Sequence, residues 1–279
     1  MQYDPIKKSL GAVFNQAPWL RILFYHLLDL LLLRTWHVKK AIRQWDATCG
    51  NGACRSDGSC PALTILDAGS GFGQYSYFLS RLKPAMDIDA VDLKEEQIRD
   101  CSEFFARIGR KNVSFAAEDL TSFVKKEAYD LILSVDVMEH ISDDELVFRN
   151  FFGSLRPGGM LLISTPSDKG GSGVHDHGTE ESFIDEHVRD GYGIDEIRQK
   201  LMRAGFNLIE ANYTYGRPGQ LGWRLSMKYP VAMLNLSKLF FLMLPLYYFL
   251  VFPVALICNT LDLWLAHPSG TGLIVKARK

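Results

Sequence analysis

The stretch LTILDAGSGFGQYS, residues 63–76, decides the reading of the fold. A short apolar run over 63–68 carries Asp67 near its end, a turn with Gly69, Gly71 and Gly73 follows, and residues 74–82 have helical spacing. Glycines at such a turn let the backbone approach a ligand closely, and the helix behind them offers unpaired N–H groups. The turn departs from the dinucleotide pattern G-x-G-x-x-G, because no glycine or alanine stands at its third place.

Outward from that turn, strand and helix patterns alternate. A strand over 86–91 ends at Asp92, and residues 95–108 form a helix with Ile98, Cys101, Phe104 and Phe105 on one side. A third strand, 113–116, ends at Glu118 and Asp119, and a fourth, 129–135, runs into SVDVMEHI. After a helix over 143–155, the turn Arg156-Pro157-Gly158-Gly159 announces a fifth strand at 160–164. A helix over 194–204 is stopped by Gly205, and strands at 206–213 and 271–277 complete the set. Such alternation predicts an α/β fold with right-handed crossovers and a mostly parallel sheet, whose ligands bind beyond the carboxyl ends of the strands. Asp92, at such an end, suits both hydroxyls of a ribose, so with the glycine turn it implies a nucleoside ligand.

The ordered segments LDAGSGFGQYS, AVDL, AAEDL, YDLILSVDVMEHI and LRPGGMLLISTPS resemble the successive motifs of class I S-adenosylmethionine-dependent methyltransferases, of the small-molecule and lipid-like type 11 branch. The resemblance covers about residues 62–213 and the last strand. It implies a Rossmann-like sheet of seven strands, mostly parallel with the last antiparallel, and S-adenosyl-L-methionine as cofactor. Carried onto this sequence, it implies that Gly69, Gly71 and Gly73 cradle the methionine part, that Asp67 fixes its amino group, that Asp92 holds the ribose, and that Asp119 and Leu120 meet adenine. Ser134, in the fourth tip, joins the candidate cofactor-binding set.

The implied chemistry is in-line transfer of a sulfonium methyl, for which proximity and orientation supply most of the acceleration. An acceptor hydroxyl still benefits from a base, and His140 beside Glu139 at the fourth tip is the candidate, with His187 as a further catalytic candidate. Asp136, Glu139 and His140 form D-x-x-E-H, similar to the E-x-x-E-H of divalent-metal-dependent family members. The shorter Asp136 weighs against a metal, and none is expected, these three being the candidate ligands if one binds. Residues 166–192 are expected to form a lid over the acceptor, offering His175, His177, Glu181, Glu186, His187 and Arg189. Arg189 has two readings, an anionic acceptor group or Glu186.

Composition narrows the partners. Lys and Arg number 31 against 32 Asp and Glu, so no global positive field exists to hold nucleic acid. The 47% hydrophobic content excludes a disordered chain. Five cysteines, an odd count, suggest a reducing compartment, and the spacing of Cys49, Cys54 and Cys60 does not suit zinc within the loop expected at 47–61. The apolar stretch 18–33 has the wrong form for a cleaved signal. It reads as an amphipathic helix with Leu20, Phe24, Leu27, Leu28 and Leu31 on one face, part of an N-terminal helical extension over 1–46 that lies at a membrane interface or packs on the domain. Before the last strand comes an apolar helical insertion, 216–269, in which residues 239–258 lack any charge or amide. Length alone would mark a crossing, yet the flanking strands must stay on one side, so a hairpin bent near Pro245 or Pro253 and sunk in one leaflet is expected. The expected function is methyl transfer to a lipid or lipophilic small molecule by a peripheral or monotopic enzyme on the cytoplasmic face of the inner membrane. The alternatives are a soluble methyltransferase whose insertion is a lid or dimer contact, and a cofactor-binding protein without activity.

Overall fold

The computed structural model describes residues 17–52, 62–82, 86–170 and 188–279, without the side chains of residues 49–52 and 238. Two helices come first, α1 (Pro18–Leu31) and α2 (Leu33–Gly52). The alternating part follows as β1 (Leu63–Ala68), α3 (Gln74–Leu82), β2 (Met86–Asp92), α4 (Glu95–Arg107), β3 (Val113–Ala117), β4 (Tyr129–Val135), a one-turn 3-10 helix (Met138–His140), α5 (Asp144–Ser154), β5 (Leu155–Pro166), α6 (Ile194–Ala204) and β6 (Leu208–Thr214). The insertion contributes α7 (Arg217–Trp223), a π-helical turn (Arg224–Lys228), α8 (Tyr229–Leu236), a 3-10 turn (Lys238–Leu242) and α9 (Leu244–Trp264), before β7 (Gly272–Arg278).

The sheet order is β3-β2-β1-β4-β5-β7-β6, parallel except where β7 runs antiparallel between β5 and β6. The expected seven-stranded Rossmann-like sheet is therefore present. Its central strands are apolar on both faces because both faces are covered by helices. On one side Leu66, Ile132, Leu161 and Ile163 pack on Val147, Phe148 and Phe151 of α5 and on Ile197 and Leu201 of α6. On the other, Ile65, Leu131, Leu133 and Leu162 meet Tyr75 and Leu79 of α3 and Val38, Ile42 and Trp45 of α2. The extension is thus one of the layers that close the core. Its helix α2 also runs to Gly52, into the stretch expected to be loop.

Two local expectations change. In α1 the buried residues are Arg21 and Tyr25, whereas Leu27 from the expected apolar face is exposed together with Trp19, Leu23 and Leu30. Arg21 is tolerated inside because its guanidinium donates to the carbonyls of Phe72 (2.9 Å) and Asp100 (3.2 Å) and lies 4.7 Å from the Phe104 ring. In the insertion the chain does turn back as a helical hairpin, but the bend is at residues 237–243 rather than at either proline. Ser237 leaves the helix in an extended conformation and its hydroxyl accepts from the Leu239 N–H. Pro245 lies in the first turn of α9, where a missing N–H costs nothing, and Pro253 is accommodated within that helix.

Candidate functional site

Asp67 is the penultimate residue of β1 and Ser134 that of β4, on either side of the point where the strand order reverses, the place at which α/β sheets open a crevice. The turn after β1 is pinned to the next strand by the N–H groups of Gly69 and Ser70, which donate to the Val91 carbonyl at 2.8 and 2.9 Å. Gly69 has φ +83°, and a side chain there would run into Val137, so only glycine fits. At Gly71, φ is +50° and a Cβ would meet open space, leaving the backbone accessible from that side.

Acidic groups surround this turn. Asp92 accepts from the Gly71 N–H (2.9 Å) through one oxygen and from the Lys94 N–H (3.0 Å) through the other. Asp67 is 2% exposed and accepts from the Ser76 hydroxyl at 2.6 Å. Burial pushes the Asp67 carboxyl up to about 6, against the Ser76 hydrogen bond and with help from the charge of Asp92. The hydroxyls of Ser70 and Ser134 are buried and have no hydrogen-bond partner among the described residues. Asp119 is exposed, accepts from the Thr121 N–H (2.8 Å) and hydroxyl (2.7 Å), and is held below the usual carboxylate range by those bonds, while Leu120 beside it is buried. An open glycine cradle, orphan hydroxyls and carboxylates at successive tips form a donor and acceptor set that fits S-adenosylmethionine.

A separate cavity of about 380 Å³ opens at the ends of β4, β5 and β6 and the start of β7. Asp136, Thr165 and Tyr215 line it, and the root of the hairpin closes it with Gln220, Trp223, Arg224 and Lys228. Asp136 takes the left-handed conformation at φ +51° and forms an ion pair with Arg34 of α2. Behind the wall, Glu139 is 1% exposed and accepts from the Thr165 hydroxyl at 3.0 Å. Burial raises the Glu139 carboxyl above its ordinary value, although its own backbone N–H, His140, Thr165 and Arg34 pull it down. His140 is exposed on the 3-10 turn. Among the described residues, Asp136, Glu139 and His140 do not converge as metal ligands, since Asp136 is engaged by Arg34 and Glu139 by Thr165.

His175, His177, Glu181, Glu186 and His187 lie outside the described residues. Val188, next in the chain, donates its N–H to the Glu139 carbonyl at 3.1 Å, which fixes where that segment rejoins the site. Arg189 is turned to structure: it binds Asp144 (2.5 Å) and the carbonyl of Ile141 (2.9 Å) rather than facing the cavity.

Sequence reasoning missed the N-terminal contributions. Arg21 and Tyr25 of α1 both donate to the Phe72 carbonyl, inside the glycine turn, and Gln74 donates to Asp29 at 2.8 Å. It also missed Asp262, fully buried in α9, which accepts from His37 and His267 (both 3.0 Å) and from the N–H groups of Tyr215 and Gly219 (both 3.1 Å). Glycines at 219 and 222 were the available signal, because a side chain at either would strike Asp262 or Asn259.

A family model described as "Methyltransferase domain" matches residues 60–206, just over half of the chain. The chain belongs to the S-adenosylmethionine-dependent methyltransferase family. Malonyl-acyl-carrier protein O-methyltransferase of Bacillus cereus is 36% identical over 104 residues, 37% of this chain and 38% of that protein. Phosphoethanolamine N-methyltransferase 1 of Arabidopsis thaliana is 31% identical over 155 residues, 54% of this chain and 30% of that protein. The chain therefore spans well under two thirds of the length of these curated relatives. Among solved structures, phosphoethanolamine N-methyltransferase 2 of Haemonchus contortus in complex with S-adenosyl-L-methionine superposes with a TM-score of 0.55 at 18% identity, covering 85% of this chain and 52% of that one. That likeness shows the fold of this methyltransferase. Its helices α1 and α2 and its hairpin lie outside residues 60–206, the part that the family model matches.

Proposed function

We propose that this methyltransferase moves the methyl group of S-adenosylmethionine to a lipophilic acceptor drawn from one leaflet of a membrane, on the cytoplasmic face. One observation carries the reading: the hairpin whose root lines the acceptor cavity holds a bare apolar tip, with Leu236, Leu239, Leu242 and Phe249 each more than 75% exposed. Helix α9 is long and apolar enough to cross a bilayer by length and composition. Its lower end, however, is built into the domain through Ala255, Cys258, Asn259 and Asp262. The part above it, residues 244–254, which Tyr247 and Tyr248 tie to the carbonyls of Leu225 and Ser226, is roughly 16 Å long at ~1.5 Å per residue, close to the depth of one leaflet. Exposed Trp19, Leu23, Leu27 and Leu30 of α1 give the protein a second apolar stripe. Free cysteines at 101 and 258 suit a reducing compartment.

The bound cofactor supplies an electrophilic methyl on its sulfonium. Gly69, Gly71, Gly73, Asp67, Asp92, Asp119, Leu120 and Ser134 would hold it, and the strand tips set the acceptor atom in line. The hairpin root forms one wall of the cavity with Gln220, Trp223, Arg224 and Lys228. His140, exposed beside the cavity rather than on its lining, is the residue we propose takes the acceptor proton, with Glu139 and Thr165 fixing the tip on which it stands. The named relatives include an O-methyltransferase and an N-methyltransferase.

The test is transfer of labelled methyl from S-adenosylmethionine into a total lipid extract and, separately, into a water-soluble metabolite pool. Label entering the lipid extract is the expected result. Label confined to the water-soluble pool would replace the membrane reading with that of a soluble enzyme whose hairpin is a lid.

A further inference from the structure

The wall of the acceptor cavity contributed by the hairpin is cationic. Arg224 and Lys228 both line it, at the two ends of a single π-helical turn closed by the Tyr229 N–H donating to the Arg224 carbonyl. That spacing puts both side chains on one face, directly after Trp223. Neither has an ion-pair or hydrogen-bond partner among the described residues. The third cation on the lining, Arg34, is neutralised by Asp136, the one carboxylate there among the described residues. Two positive charges are left facing one partly open cavity, both side chains also reaching solvent, in a chain whose formal net charge is -1. In such a space a guanidinium fork and an ammonium recognise a phosphate or carboxylate far better than a neutral group. The same hairpin carries the apolar residues of α8 and α9 away from this point.

We propose that the acceptor is an anionic amphiphile, its charged headgroup seated between Arg224 and Lys228 and its hydrocarbon chain lying along the apolar hairpin. This names the headgroup chemistry of the acceptor and rests on the lipophilic-acceptor reading above. Arg224 and Lys228 act as specificity-determining residues: they hold the headgroup at the cavity wall, so that the reacting atom falls at the tips of β4 and β5 near Asp136 and Thr165.

The test uses the full-length protein, with Trp223 fluorescence as reporter and a Trp223→Phe variant to isolate its signal. The probes are dihexanoyl phosphatidate, dihexanoyl phosphatidylcholine and inorganic phosphate, each below any micelle-forming concentration. Saturable binding of the phosphatidate, at least about tenfold tighter than either of the others, is expected. Arg224→Ala and Lys228→Ala should each weaken it about tenfold or more, with S-adenosylmethionine affinity unchanged as the check on folding. Lys126→Ala, at an exposed lysine off the cavity, should leave phosphatidate binding as it is. Equal affinity for phosphatidylcholine, or no loss in a variant carrying both Arg224→Ala and Lys228→Ala, overturns the headgroup site. Inorganic phosphate binding as tightly as phosphatidate overturns the amphiphile and leaves only a phosphate site. Flotation with neutral phosphatidylcholine vesicles reads the hairpin independently of charge. Protein that does not float yet still discriminates phosphatidate sinks the membrane reading and keeps the headgroup site, whereas protein that floats without discrimination sinks the headgroup site alone.

Discussion

The glycine turn after β1 and the helical hairpin before β7 both flank the strand tips, and they are built on opposite terms. Around the turn, N–H groups and carboxylates are matched one to another, and the turn is clamped from outside by Arg21 and Tyr25. The hairpin matches polar groups around Asp262 and through the Tyr247 and Tyr248 hydroxyls, which donate to the carbonyls of Leu225 and Ser226, and its outer face shows leucine and phenylalanine to the surroundings. A cofactor site needs donors and acceptors fixed before the ligand arrives. A membrane-seeking element needs the reverse, apolar surface left without a protein partner.

The widest separation between the two regions comes from stripping the hairpin tip. Replacing Leu239, Phe241, Leu242 and Phe249 by serine removes about 1.5 to 3 kcal/mol of apolar transfer at each position, so vesicle partitioning should fall by a factor on the order of ten thousand or more. Cofactor affinity should not change. A variant that floats with liposomes as well as the parent would dissolve the contrast altogether.

The next effect tests the strand tip that lies between the regions. His140→Ala should lower turnover by about a hundredfold, the lower end of what a positioned base contributes, while calorimetry shows cofactor affinity intact. Activity that survives both this change and prolonged chelation would remove the base and metal roles together.

Within the turn, Asp92→Ala should weaken S-adenosylmethionine binding by about 1 to 3 kcal/mol, because the Gly71 N–H and the ribose hydroxyls lose their acceptor. An unchanged dissociation constant in a folded variant would show that this tip does not hold the ribose. The smallest effect is a pH dependence. Asp67 must be ionised to receive the cofactor ammonium, and burial sets its carboxyl at about 6. Cofactor affinity should therefore be constant above that pH and fall up to about tenfold per unit below it. Asp67→Asn should give weaker binding without the slope, and a slope that persists in that variant would assign the titration to another group.

The alternating part was legible because its signals are local. The expected bounds of β1, α3, β4 and α6 coincide with the observed ones, since each is an apolar run or amphipathic stretch ended by glycine, aspartate or a charged turn. The lone glycines at 69, 71 and 73 carried the site for the same reason: their positive φ values are a backbone demand that the sequence states directly. The outlying parts were less legible. In α1 an arginine and a tyrosine were turned inward by carbonyls that lie 51 and 47 residues away, a demand that no helical wheel contains. The position of the hairpin bend followed Ser237 rather than either proline, because a proline in the first turn of a helix breaks nothing.

By itself the sequence determined that this chain builds a methyltransferase sheet, with carboxylates and glycines at its tips and an apolar segment before its last strand. These are properties of short windows, set by hydrophobic period and by the few residues that tolerate special backbone conformations. Only the tertiary structure decided that α2 closes the core, that Arg34 neutralises Asp136, and that Arg224 and Lys228 face the cavity beneath an exposed apolar tip. Each of those depends on which of many distant groups become neighbours, and the free energy that selects them, desolvation of a charge against the partner that meets it, exists only once the chain has closed on itself.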